Sequence, residues 1–163
     1  MAKLAIVLGS KSDQPFFEQP VKLLAALGIE ANLHILSAHR SPNKTAEFAK
    51  SAESEGMELI IAAAGGAAHL PGVIAAHTNL PVIGVPIPGS LGGMDALLSM
   101  VQMPKGVPVA TLAIGEAGAL NAAMLAGQIL GIKYPEIRQK MARIKLKMEE
   151  DTAFNLASVL QAL

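Results

Sequence analysis

The chain has 163 residues, no cysteine, 3% aromatic residues, and 13 basic and 13 acidic side chains that cancel to zero net charge; this is the length of one ordinary domain. Lack of cysteine excludes disulfides, thiolate nucleophiles and thiolate metal sites, and a neutral, aromatic-poor surface lacks the basic field and stacking platforms of a nucleic-acid binder. Small residues dominate, with 28 alanines and 15 glycines, so backbones can approach one another closely.

Residues 4–8 form an unbroken apolar run closed by Gly9-Ser10, which suits a strand covered on both faces in a parallel sheet. Phe16, Phe17, Val21, Leu24 and Leu27 recur at near-helical spacing, so a helix is expected over about 13–27, stopped by Gly28. Residues 29–36 alternate Ile29, Ala31, Leu33 and Ile35 with Glu30, Asn32 and His34, which predicts a less buried second strand. Pro42 suits the first turn of a helix reaching Gly56. The alternation then predicts strand three at 57–63, a short helix at 71–77 and strand four at 81–85. A helix at 95–101 after a Gly-rich loop, strand five at 107–112 and an Ala-rich helix at 116–130 complete it. Over 135–163 the spacing predicts a long charged helix striped by Ile137, Met141, Ile144 and Met148, then Leu156, Val159 and Leu163.

Five strands alternating with helices predict a single-domain α/β, doubly wound three-layer sandwich around a flavodoxin-like parallel sheet of order 2-1-3-4-5. Residues 1–132 would form this core. Residues 133–163 would form the terminal helix, packed on the core and at least partly on a neighbouring subunit.

Charge is distributed unevenly. Residues 57–132 carry only Glu58, Asp95, Lys105 and Glu116, whereas a soluble surface is normally about a quarter or more charged. Something must cover that stretch. A membrane does not fit, because Gly65, Gly66, His69, Pro71, Gly72, His77, Asn79 and Pro81 interrupt it and no apolar run approaches the roughly 20 residues of a spanning helix. A large oligomeric interface is therefore expected. Met-Ala-Lys leads straight into the first strand, with no separate apolar segment ending in a cleavage site, so a cytoplasmic location is expected.

In a sheet of this order, ligands bind beyond the C-terminal strand ends where the order reverses, between strands one and three. The loops there are the most unusual stretches of the chain: Gly9-Ser-Lys-Ser-Asp13, Ser37-Ala-His-Arg-Ser-Pro42 and Ala64-Gly-Gly-Ala-Ala-His-Leu-Pro-Gly72. The first offers two hydroxyls at a helix N-terminus, which favours an anion such as phosphate. Asp13 either caps that helix or holds the hydroxyls of a ribose. One glycine does not make the spaced dinucleotide fingerprint. In the second loop, Arg40 suits bidentate contact with phosphate or carboxylate and His39 suits proton transfer near neutral pH. The blander alternative has Arg40 paired with an acid on its own helix. In the third loop Gly65-Gly66 lets backbone amides approach a ligand, and His69 could orient His39, bind substrate or fill a polar spot. His34 and His77 are read as structural. The histidines show no metal-ligand spacing and no carboxylates cluster near them, so no metal is expected.

These stretches, together with Val101-Gln-Met-Pro-Lys-Gly-Val-Pro108 and Ala117-Gly-Ala-Leu-Asn-Ala-Ala123, resemble the class I N5-carboxyaminoimidazole ribonucleotide mutases of purine biosynthesis in order and spacing over nearly the whole chain. The resemblance implies conversion of N5-carboxyaminoimidazole ribonucleotide into 4-carboxy-5-aminoimidazole ribonucleotide, without ATP, metal or organic cofactor. It makes His39 the general acid/base. Ser10 and Arg40 would engage the phosphate and Asp13 the ribose, with Ser12, Ser37, Ser41, Gly65, Ala67, Ala68, His69 and Leu70 lining the pocket. It also implies a homo-octamer with active sites at subunit junctions. The related class II carboxylases use CO2 directly. They usually carry Lys after the loop His and lack the Gly-Gly-Ala-Ala-His-Leu-Pro run, so Arg40 and residues 65–71 point to class I. A non-catalytic nucleotide- or phosphate-binding module is the alternative from another class; a phospho-acceptor regulator would need an acidic cluster where only Asp13 stands.

Overall fold

The computed structural model describes residues 1–150, 155–161 and 163. Strands β1 (Lys3–Leu8), β2 (Glu30–Ile35), β3 (Ile60–Gly65), β4 (Val82–Ile87) and β5 (Ala110–Thr111) form one parallel sheet of order β2-β1-β3-β4-β5. This is the expected doubly wound topology. The helices between them are α1 (Glu18–Leu27), α2 (Pro42–Ser51), α3 (Leu70–Ala75), α4 (Met94–Val101) and α5 (Glu116–Leu130), followed by α6 (Pro135–Glu150) and α7 (Leu156–Gln161).

The unbroken apolar strands are explained by a helical layer on each side. Leu4, Ile6 and Leu8 of β1 pack with Ile61, Ile83 and Val85 against Leu24 and Leu27 of α1 and the alanines of α5. Ala5 and Val7 point the other way and pack with Ile60 and Ala62 against Ala49, Leu70, Ile74 and Met100, from α2, α3 and α4. The small residues let these layers close tightly. A Cβ on Gly118, at the start of α5, would fall 1.6 Å from the Ala113 carbonyl oxygen, so only glycine fits there.

Several boundaries differ from expectation for local reasons. The helix expected over 13–27 opens as a 3-10 turn over Lys11–Phe17, and α1 begins only at Glu18. Pro15 and Pro20 have no N–H to give an α-helical ladder, so the regular helix starts where Pro20 falls in its first turn. Gly28 closes α1 in the left-handed conformation at φ 82°, as its position predicts. β3 starts at Ile60 rather than at residue 57, because the Met57 N–H turns back to the Ala52 carbonyl at 3.0 Å. β5 is only two residues long. Pro108 cannot donate to a ladder, and the Val109 carbonyl accepts the N–H of Thr111 at 2.9 Å.

The charged C-terminal segment is helical as expected, but α6 ends at Glu150 and α7 packs against α6 and α1. Residues 151–154 of the expected long helix lie outside the described residues. Ile137, Met141 and Ile144 are buried within the chain, in the same core as α1 and α5, each adding roughly 1.5–3 kcal/mol of burial. Among the described residues no helix is long and apolar enough to cross a membrane. At the N-terminal end of the sheet, Glu58 accepts hydrogen bonds from Lys133 Nζ at 2.6 Å and Tyr134 Oη at 2.7 Å, which ties the α5–α6 junction to the approach to β3.

Candidate active site

A cleft of about 410 Å³ opens above the C-terminal ends of β1 and β3, the predicted point of strand-order reversal. This is within the size range of small-molecule sites. Its walls are the loops after β1, β2, β3 and β4.

The first wall begins at Gly9, whose N–H bonds the Ala63 carbonyl at 2.9 Å and so holds the loop against β3. Ser10 is the extended cap of the 3-10 turn. Its N–H donates to Asp13 Oδ2 at 3.2 Å, and its Oγ accepts the Ser12 N–H at 3.3 Å. Ser12 Oγ lies 2.8 Å from Ser10 Oγ and 3.1 Å from Asp13 Oδ1. Asp13 thus caps its turn, as the plainer sequence reading has it. It is only 6% exposed. Burial raises the pKa of its carboxyl, and the hydrogen bonds from Ser12 and Ser10 offset part of that rise.

The second wall is a closed turn leading into α2. Arg40 N–H donates to Ser37 Oγ at 3.1 Å, and the Ser41 hydroxyl donates to the Ser37 carbonyl at 3.0 Å. Pro42 then occupies the first helical turn. The turn leaves His39 and Arg40 exposed at the mouth. Among the described residues Arg40 takes part in none of the ion pairs, so its guanidinium is not spent on an acid of its own helix.

The third wall is built for close approach. A Cβ on Gly65 would stand 3.1 Å from the Ile87 carbonyl oxygen, and Gly66 is left-handed at φ 62°. The tight turns that follow, His69 N–H to the Ala67 carbonyl among them at 2.8 Å, present the His69 ring to the cleft. His39 Nε2 and His69 Nδ1 are 2.7 Å apart, with the rings edge-on at 81° and 4.8 Å between centroids. The arrangement offers a proton-transfer group, a free guanidinium and two hydroxyls facing one cavity. That set can hold a phosphorylated molecule and move a proton on it.

Of the residues singled out in the sequence, Ser10, Ser12, Asp13, Ser37, His39, Arg40, Gly65, Ala67, His69 and Leu70 line the cleft. Ser41 lies beneath it, bonded to Ser37, and Ala68 is 1% exposed in the core behind it. His77 stands outside the cleft. His34 Nε2 is buried without a hydrogen-bond partner among the described residues, beside the Phe48 ring at 4.7 Å. Sequence reasoning missed the fourth wall, Ile87, Pro88 and Gly89. The signal was the Pro-Gly step ending the apolar run of strand four, at the same level as the other three loops.

The family model described as AIR carboxylase matches residues 3–151. A Saccharolobus solfataricus protein named N5-carboxyaminoimidazole ribonucleotide mutase is 53% identical over 152 residues, covering 93% of this chain and 95% of that protein. A Vibrio cholerae protein of the same name is 48% identical over 153 residues, covering 93% and 95%. Among solved structures, Treponema denticola PurE superposes with a TM-score of 0.78 at 29% identity, covering 93% of this chain and 92% of that one.

Proposed function

The chain belongs to the AIR carboxylase family, and from that premise we propose that it is an N5-carboxyaminoimidazole ribonucleotide mutase of purine biosynthesis, moving the carboxyl group from N5 to C4 of the imidazole. The observation that carries this reading is the meeting of His39 with Arg40, Ser10, Ser12 and Asp13 on one cleft, in a chain about half identical to proteins named for that activity.

The chemistry asks little beyond a positioned proton. His39, as imidazolium, protonates the carbamate nitrogen; the N–C bond breaks and CO2 is freed, with the bonding pair returning to nitrogen. C4 of the ring attacks the retained CO2, and neutral His39 then removes the C4 proton. One histidine thus serves first as acid and then as base, and ends as it began. The Gly/Ala wall over 64–68 supports retention of CO2 beside the ring, where proximity replaces a bimolecular encounter. Arg40 and the serines hold the phosphate, Asp13 the ribose, and the remaining wall residues shape the pocket.

The assembly is a homo-octamer. Leu91, Met94, Leu98 and Val101, on α4 and the loop before it, are each more than half exposed and belong to the sparsely charged middle of the chain. A second copy covers them, and the terminal helices contribute to the contact between subunits. Light scattering on purified chain tests this, and a monomer at micromolar concentration would overturn it. The function is tested by following the carboxylated ribonucleotide spectrophotometrically, with and without added bicarbonate. Turnover independent of bicarbonate is expected; a strict bicarbonate requirement would instead indicate a CO2-dependent carboxylase, and binding without turnover a nucleotide-binding module.

A further inference from the structure

The 2.7 Å contact between His39 Nε2 and His69 Nδ1 leaves room for one proton, and either ring could own it. The reading of His39 as acid and base, on which this inference rests, decides between the two. If His69 Nδ1 carried the proton, it could donate only while His39 was neutral. Each time His39 became imidazolium, two N–H groups would face each other and the contact would break. If His39 Nε2 carries the proton, the contact survives both states, because Nε2–H is present in imidazole and imidazolium alike.

We propose that His69 is a positioning residue: its Nδ1 accepts the Nε2–H of His39. It thereby holds the His39 ring in one orientation and leaves Nδ1 of His39 as the atom that gives and recovers the substrate proton. His69 is then the Nε2–H tautomer throughout, and no proton passes between the rings. The near-perpendicular rings let the accepting lone pair of His69 lie in its own ring plane, aimed at the edge of His39.

Two measurements on the full chain test this. Two-bond proton–nitrogen correlation spectra of the unliganded protein, assigned with His39→Gln and His69→Gln, report which ring nitrogens carry protons. Expected are a bare Nδ1 and protonated Nε2 on His69, with His39 protonated at Nε2; a His69 protonated at Nδ1 and bare at Nε2 overturns the proposal. In turnover, His69→Phe removes the acceptor and should lower kcat about 100-fold, the scale of a positioned acid/base group, with KM nearly unchanged. His69→Asn places Oδ1 near the position of Nδ1 and should restore at least about a tenth of the wild-type kcat. Equal losses in the two variants, or a raised KM at unchanged kcat, would overturn a positioning role. A wild-type chain that fails to interconvert the ribonucleotides would remove the reading of function, while the tautomer measurement, which needs no substrate, would still decide the pair.

Discussion

The two ends of the sheet each carry an enclosed carboxylate, and they treat it in opposite ways. At the N-terminal end, burial alone would raise the Glu58 pKa, but hydrogen bonds from Lys133 and Tyr134 outweigh burial and hold it below its ordinary value. At the C-terminal end, burial of Asp13 outweighs the bonds from Ser12 and Ser10, and its pKa stays raised. No cation neutralises it, although Arg40 stands in the same cleft without an ion partner among the described residues. Polar groups at one end are spent on one another and hold the fold. Those at the other end leave a desolvated carboxylate and an unpaired guanidinium facing one cleft among the described residues, the pattern of a functional site rather than of a structural one.

Substitutions should divide along that line. The largest effect is expected from His39→Asn, which should lower turnover at least about 10³-fold while leaving ribonucleotide affinity, read by calorimetry, nearly intact; retention of most activity would remove His39 from the central role. Arg40→Ala should weaken binding by about 10- to 100-fold, the loss of a charge-assisted contact to phosphate, with no loss of stability, because among the described residues the guanidinium takes part in none of the ion pairs. Asp13→Asn should cost about 10-fold in affinity yet leave the urea midpoint at neutral pH equal or slightly higher, since Asn still accepts from the Ser10 N–H and removes a desolvated charge. Glu58→Gln should be the mildest, lowering stability by no more than about 1 kcal/mol without touching turnover.

The pH dependences of the two carboxylates have opposite signs. Glu58 has a lowered value in the fold, so its stabilisation is fully present above the ordinary carboxylate range and is lost as pH falls through that lowered value. Asp13 has a raised value, so its cost is present at neutral pH and is relieved as pH falls through it. Urea midpoints of Glu58→Gln and Asp13→Asn should therefore lie on opposite sides of the parent at neutral pH, Glu58→Gln below and Asp13→Asn level or above, and both differences should shrink as the pH falls through the two values.

Most of the architecture was legible because it rests on patterns that a strand buried on both faces cannot avoid. The unbroken run at Leu4–Leu8, the alternation at 29–36 and the glycines that follow strands one and three foretell the order of elements and the more exposed position of β2. Boundaries were less legible wherever a backbone group decided them, as when Pro108 shortens β5 or the Met57 N–H turns back to Ala52. The site was visible in outline because its loops combine glycine, hydroxyls, His and Arg where the topology predicts a ligand. The fourth wall was not, since Ile87 and Pro88 carry no group that announces chemistry and matter only by position. Nor could spacing foretell the His39–His69 contact, which joins residues thirty positions apart across two strand ends.

The loop that bears His39 follows β2, which pairs with β1 at the edge of the sheet and is partly exposed along its length, while the facing His69 follows β3, in the middle of the sheet. An edge strand opens at lower free energy than a central one. Of the two facing histidines, His39 is therefore the one carried by the less protected strand. Amide exchange along β2 should accordingly run faster than along β3, so that the two walls of the cleft differ in local stability.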